Sequence, residues 1–480
     1  MIDLLVVGAG PAGLAAARTA GELGLRVVVA DENAEAGGQY YRQPGLPGAA
    51  LDRRQTRGRA VIDAARGVAE LRLGCSVVAL DPTPTGLRAW LDRDGGLEWL
   101  MPRAILLATG AFDTPVAFPG WTLPGVMSAG AAQALVKSQL VRPGRRAVVA
   151  GSGPFVFAVA DALRHAGVRV AEAVEAATLR GALPHLPSSM RHARRYGELA
   201  ALVLPLVASG TAIRSGEVVA SAQGRDRLEA VRLRPRGRPG APADANGERV
   251  VEADLLCVGY GFSASTELAR LAGAAMSVDP GLGQPIPAAD AWQAASRPGL
   301  FVAGEAAGLG GAAVAEAEGE LAAIGAARHL ERLDVRAADE LASRVRPRLA
   351  ALRGFAALLP RIFPRPDGLG LLADPATIVC RCENVSLATV LAAVDQGKAD
   401  SLNELKAATR CGQGWCQGRV CGALLPGVIG ARRTGFDGTS QYTARVPVRP
   451  VGLAAVVAQL DAIGASEAPS DAGRPTPSPS

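Results

Sequence analysis

Five of the seven cysteines fall in one C-terminal stretch: Cys380-Arg381-Cys382, then Cys411, Cys416 and Cys421 in the run Cys-Gly-Gln-Gly-Trp-Cys-Gln-Gly-Arg-Val-Cys. Crowded thiols suit metal ligation, and a reducing compartment disfavours the disulfide alternative. Four thiolates drawn from these five can hold an iron–sulfur cluster or a tetrahedral zinc ion. Cys380 and Cys382 form one pair; the other is Cys411 with Cys416 or Cys416 with Cys421, each separated by four residues. Cys75 and Cys257 lie in apolar, strand-like surroundings and read as buried core thiols. The four histidines, His165, His185, His192 and His329, show no ligand spacing.

The other chemical signal is at the N-terminus, where Gly8-Ala9-Gly10-Pro11-Ala12-Gly13 follows an apolar run and opens a helix of small residues. Gly8 permits the tight turn, Gly10 lets the backbone approach a dinucleotide pyrophosphate, and Gly13 lets the helix pack close to its strand. Asp31 and Glu32 follow 18 and 19 residues after Gly13. An acid there accepts hydrogen bonds from ribose hydroxyls and repels a 2′-phosphate. Gly37-Gly38-Gln39 offers flexible backbone where a long cofactor must pass. Two later strands end in Thr109-Gly110 and Gly304-Glu305, at the carboxyl edge of a sheet where ligands bind.

These residues need a scaffold, and 480 residues with 49% hydrophobic and 20% charged side chains can bury two or three cores. The net charge of +6 comes from scattered arginines with only 4% aromatics, so nucleic acid is not an expected partner. The first strand, expected from residue 2, leaves no room for a signal peptide. The uncharged stretch from Leu199 to Ile213 is too short for a bilayer and holds Pro205 and Gly210, so no transmembrane segment is expected. The protein is expected in the cytoplasm, free or peripheral to the inner membrane.

Strands over 4–7 and 26–31 with a helix from Gly13 to Leu23 make a βαβ opening. A second opening starts at Arg146 to Gly153 and runs through a helix to a strand near Val168 to Glu175, with a further strand at Asp254 to Gly261. There Val156 replaces the third glycine, and its Cβ should hold the helix off the strand. Glu175 takes the place of Glu32, and no arginine pair follows for a 2′-phosphate. NAD binding and a fold kept without its ligand both stay open. Pro235 to Gly247 reads as a solvated hairpin loop. Charged amphipathic helix follows from about residue 335, then a Pro-rich join at 363–368. In the cysteine module a helix from Leu387 stops near Gly397, and the box Ser401-Leu-Asn-Glu404 opens another. Arg381, Arg410 and Arg419 flank the thiols. The Ser/Pro/Ala-rich tail from about 466 is expected to be disordered.

The glycine motifs with Thr109-Gly110 and Gly304-Glu305 resemble the two-dinucleotide-domain flavoproteins, the glutathione- and thioredoxin-reductase-like class. That resemblance implies FAD in the first site, with Glu305 where the class usually carries Asp. No Cys-x-x-Cys lies near the flavin motifs, so disulfide reduction has no group to act through. The cysteine module resembles the bacterioferritin-associated-ferredoxin (BFD-like) type, Cys-x-Cys, thirty-odd residues, then Cys-x(2–4)-Cys. Between Cys382 and Cys416 lie 33 residues, and before Cys411 only 28. The resemblance therefore implies a [2Fe–2S] cluster on Cys380, Cys382, Cys416 and Cys421, with Cys411 a bystander. The Gly-x-Gly-x-Cys-Gln-Gly-x-x-Cys run, similar to the C-terminal domain of anaerobic glycerol-3-phosphate dehydrogenase, weighs against zinc.

In this order the motifs resemble the large flavoprotein subunit of heteromeric amine and imino-acid dehydrogenases. That group includes the A component of opine oxidase, the α component of hydroxyproline dehydrogenase, the B component of hydrogen cyanide synthase and part of sarcosine oxidase α. Asp31-Glu32, Gly37 to Arg42, Gly125 to Gly130 and Tyr442 to Pro450 match its pattern. The implied fold is α/β, two Rossmann-like dinucleotide-binding domains plus a small helical BFD-like [2Fe–2S] domain. Its expected divisions are 1–125 and 258–335 for FAD, 126–257 NAD-binding-like, 336–375 a helical linker, 376–435 the cluster domain, and 436–480 an extension with a disordered tail. The implied activity is that of an FAD- and [2Fe–2S]-dependent, electron-transferring subunit that works with CH–NH or CH–NH2 donors. Its implied partners are a smaller FAD-dependent amine-oxidising subunit, in some relatives a small ferredoxin-like subunit, and an acceptor such as a quinone. An FMN at a subunit interface occurs in some relatives, and NAD is doubtful. No residue here is assigned a catalytic role. The alternatives are a self-sufficient NAD(P)H-dependent reductase, a hydrogen cyanide synthase subunit, and a scaffold without redox function.

Overall fold

Short strands form two parallel sheets whose inner strands are apolar and buried on both faces, while one edge strand of each is polar and partly exposed. The first contains β1 (Leu4–Val7), β2 (Val27–Asp31), β3 (Glu70–Leu73), β4 (Ala104–Leu107) and, from far along the chain, β10 (Leu300–Val302). Their spatial order is β10-β4-β1-β2-β3, all parallel. The second sheet, also parallel, is ordered β8-β7-β6-β9-β5 from β5 (Val126–Ser128), β6 (Arg146–Gly151), β7 (Arg169–Glu175), β8 (Ala212–Ser215) and β9 (Leu255–Gly259). Both expected βαβ openings are present. In this computed structural model, residues 1–178, 181, 183–185, 193–237, 247–279, 283–434, 436 and 441–459 are described. The tail from 466 lies outside them. So does most of the expected loop at 235–247, between strands Ala230–Pro235 and Arg249–Glu252, which pair antiparallel as a hairpin requires.

Helices of small residues let the first sheet be covered at close range. On one face α1 (Pro11–Glu22) meets α4 (Ala312–His329), and a Cβ on Gly319 would come within 2.1 Å of the Ala12 carbonyl oxygen. In the second sheet α2 (Ala129–Lys137) and α3 (Phe155–His165) fill the corresponding place. The amphipathic α5 (Val335–Ala356) lays Ala338, Ala342, Val345 and Leu349 on α4.

The cysteine module is a hairpin and three helices. Strand β11 (Ile378–Cys380) pairs antiparallel with β12 (Val385–Ser386), followed by α6 (Leu387–Asp395), α7 (Leu402–Thr409) and α8 (Arg419–Gly430). Ser386 caps α6 through Thr389 N, and the expected capping box of Ser401 and Glu404 is formed at α7. The module's core is continuous with that of the second sheet, and the Trp121 indole donates to the Ile378 carbonyl at 2.6 Å. Among the described residues no helix is long and apolar enough to cross a membrane.

Candidate functional site

One cavity of about 2150 Å³ opens at the carboxyl edges of both sheets. Gly8, Gly10, Pro11, Ala12, Asp31, Glu32, Gly38, Gln39, Thr109, Gly110, Gly304 and Glu305 all line it. Gly13, Gly37 and Arg42 stand behind that wall. Gly8 has φ +108°, and a Cβ there would strike the Ala108 carbonyl oxygen at 2.4 Å, so only glycine lets β1 and β4 close over the turn. Gly13 supports from beneath, since a Cβ would lie 1.8 Å from the Gly8 carbonyl oxygen. Gly37 is turned inward, its N–H donating to Ala9 O at 2.8 Å. Burial lowers the Arg42 guanidinium, while the nearby Asp31 acts to raise it.

The acid at the end of β2 is held by backbone. Asp31 accepts from Ala9 N at 2.6 Å and Asn33 N at 2.8 Å. Glu32 pairs with Arg449 at 2.8 Å at the cavity rim. Across the site Glu305 accepts from Gly311 N at 2.9 Å, and burial pushes its carboxyl up.

Sequence reasoning missed the second buried carboxylate. Glu318 on α4 is 4% exposed; it accepts from Gly304 N at 2.8 Å and is clamped by Arg353 at 2.9 Å. Burial raises it and Arg353 pulls the other way. The sequence offered only a weak signal, because Glu318 is one of three acids, with Glu316 and Glu320, in a helix rich in alanine and glycine, and it alone of the three is buried. Tyr41 was also missed; it is buried, its hydroxyl is bound by Glu316, and it anchors the Gly37–Gly38 loop to α4.

The second unit repeats the geometry with two changes. Glu175 accepts from Gly153 N at 2.8 Å and Ala177 N at 2.9 Å, and burial pushes its carboxyl up to about 7. By register Glu175 faces Gly151, as Asp31 follows the Val7–Ala30 pair. Its counterpart is therefore Asp31, not Glu32 as residue counting suggests; the count is displaced by a β-bulge opposite Ala147 and Val148. Val156, 1% exposed, occupies the space beneath the helix, and α3 begins at Phe155, one place later in the motif than α1.

All five C-terminal thiols converge. Cys380, Cys411 and Cys421 are buried with their sulfurs within 4.8 Å of one another. Cys416 is hydrogen-bonded to both Cys421 and Cys382, the latter exposed at the edge. Cys411, expected to stand aside, is part of the group by position. Hydrogen bonds from Cys411 and then Cys421 draw Cys380 down to about 2, and one from Cys421 draws Cys416 down to about 5. Backbone N–H groups aim at these sulfurs: Gly412 and Glu383 at Cys380, Val420 and Gly418 at Cys416. The left-handed Arg410, Gln417 and Gly418 make the turns that point them. The flanking arginines are occupied elsewhere, Arg410 by Glu383, Arg419 by Glu267 and Arg381 over the Trp121 ring. Backbone N–H groups supply the hydrogen bonds to the thiols, and Arg419 is the flanking cation whose charge acts on Cys416. Arg381, Arg419 and Val420 reach the same cavity that Gly8 and Gly10 line. Cys75 and Cys257 are buried in their sheets, as expected.

Comparison with known proteins agrees with both halves. Residues 2–319 match the family described as pyridine nucleotide-disulphide oxidoreductase, and 378–429 match the BFD-like [2Fe-2S] binding domain. The chain is 33% identical to the A component of opine oxidase of Agrobacterium tumefaciens, over 94% of this chain and 90% of that one. It is also 33% identical to the HcnB component of hydrogen cyanide synthase of Pseudomonas aeruginosa, over 94% of this chain and 97% of that one. The fold is similar to L-proline dehydrogenase from P. horikoshii, with TM-score 0.66 and 19% identity, over 95% of this chain and 79% of that one.

Proposed function

Since the chain belongs to the pyridine nucleotide-disulphide oxidoreductase family and carries a BFD-like [2Fe–2S] domain, we propose that it is the electron-carrying subunit of a heteromeric dehydrogenase acting on CH–NH donors. The donor would be oxidised on a smaller flavoprotein subunit, with a quinone or similar acceptor downstream. The observation that carries this reading is the single cavity joining the glycine turn of the first sheet to Arg381, Arg419 and Val420 of the cysteine module.

FAD supplies a two-electron store and a [2Fe–2S] cluster a one-electron carrier. Both fit the residues present. The Gly8–Gly13 turn presents a helix N-terminus and, at Gly8 and Gly10, backbone without Cβ atoms to a pyrophosphate, and Asp31, held by two N–H groups, is set for ribose hydroxyls. Glu305 and Gly304, whose N–H is held by Glu318, would line the path of the ribityl chain. In the module Cys380, Cys382, Cys416 and Cys421 would be the ligands, with N–H donors offsetting the negative charge of four thiolates. The proposed divisions are 1–125 with 258–335 for FAD, 126–257 for the second unit and 376–435 for the cluster.

The full chain, purified anaerobically, is expected to contain one FAD and two irons and to be inert toward amines and imino acids by itself. Co-purification with a smaller flavoprotein subunit should confer donor-dependent bleaching. Stoichiometric zinc in place of iron, or bleaching by NADH within seconds, would overturn the proposal; the second outcome would support a self-sufficient reductase.

A further inference from the structure

The cysteine module does not cover its own thiols. After α8 the chain returns at Tyr442, and the phenol ring lies against three glycines of the module. A Cβ on Gly412, Gly418 or Gly422 would come within 2.6, 2.5 or 2.9 Å of that ring. Such a socket holds one aromatic ring and excludes any larger residue at its three corners. Tyr442 is 8% exposed. The segment that brings it is tied down along its length: Arg270 donates to the Tyr442 carbonyl at 2.5 Å, Asn403 and Thr443 exchange two hydrogen bonds, and Val448 N donates to Val78 O at 2.8 Å.

The phenol hydroxyl donates to the Cys411 carbonyl oxygen at 3.0 Å, and its oxygen lies 3.8 Å from the Cys421 sulfur. As a thiol, Cys421 can give its proton to the phenol. As a thiolate on iron it can only accept, so the single phenol proton is then shared between the Cys411 carbonyl and the Cys421 sulfur. We propose that Tyr442 is a positioning residue for the cluster: its ring fills the glycine socket beside the thiols, and its hydroxyl, shared with the Cys411 carbonyl, donates to the Cys421 sulfur and raises the reduction potential. This rests on Cys421 being a ligand, as proposed above. The physical cause is charge. Reduction adds an electron to an already negative cluster, and a hydrogen bond to sulfur stabilises the reduced form more than the oxidised one. A bond to a charged acceptor is worth about a tenfold change in equilibrium.

The test is an anaerobic potentiometric titration of the full chain, read by EPR of the reduced cluster. Tyr442→Phe keeps the ring in its socket and removes only the hydroxyl. It is expected to retain iron and FAD and to lower the cluster midpoint by about 59 mV, the equivalent of tenfold for one electron. Replacing all tyrosines by 3-fluorotyrosine, a stronger donor of the same shape, should raise the midpoint. An iron-loaded Tyr442→Phe with the wild-type midpoint overturns the proposal; if that variant fails to fold, an unshifted fluorotyrosine protein does so. Cys421→Ser separates the two readings. Full iron in Cys421→Ser would sink the ligand assignment, whereas iron loss there with an unmoved Tyr442→Phe midpoint would sink only the role of the tyrosine.

Discussion

At the scale of single residues, Cys411 and Cys421 are the sharpest pair, because both are buried in one thiol group while only one is proposed as a ligand. Cys421→Ser is expected to lose most of its iron and Cys411→Ser to keep it, with FAD unchanged in both, as read by metal analysis and the visible spectrum. Glu175 gives a pH signature. Its carboxyl, ordinarily near 4.5, is pushed up to about 7 mainly by burial, against opposing hydrogen bonds from Ala177 and Gly153. Between those values the folded chain holds a proton that the unfolded chain has released. Its favourable contribution is full below about 4.5 and is lost as pH rises through about 7, amounting to at most about 3 kcal/mol. The thermal midpoint should therefore fall more steeply from pH 5 to 7 in the wild type than in Glu175→Gln.

At the scale of elements, the two βαβ openings differ at their third glycine position. Under α1 there is no room: Gly13→Val would drive a side chain into the Gly8 carbonyl, 1.8 Å from the first added atom. Loss of FAD and destabilisation by about 3 kcal/mol or more are expected, measured by flavin release and urea unfolding. Under α3 the reverse holds, since Val156 already fills the gap; Val156→Gly should cost stability through a cavity. Both openings were legible in the sequence because a strand, a glycine turn and a small-residue helix are local patterns. The offset of Glu175 was not, because a bulge in β7 changes residue counting without changing composition.

At the scale of the whole molecule, residues 442–449 run from the thiol group to the flavin domain, where Val448 bonds to Val78 and Arg449 pairs with Glu32. Arg419, beside Cys416, meets Glu267 and the Val448 carbonyl on the same line. A chain ending at residue 441 should keep its FAD and lose iron faster in air than the full chain, read as the decay of cluster absorbance. Equal decay rates would show that this segment does not protect the module.

The sequence by itself determined the chemistry: glycines at turn spacing, acids at the strand end and thiols in two close pairs. Those are short-range relations, written in neighbouring residues. Only the tertiary structure decided that Cys411 joins the thiol group, that Glu318 rather than a loop residue fixes Gly304, and that Tyr442 closes the module. Each depends on two segments distant in the chain packing at atomic range. Burial and close approach arise from the sum of many such contacts, and no spacing along one segment records them.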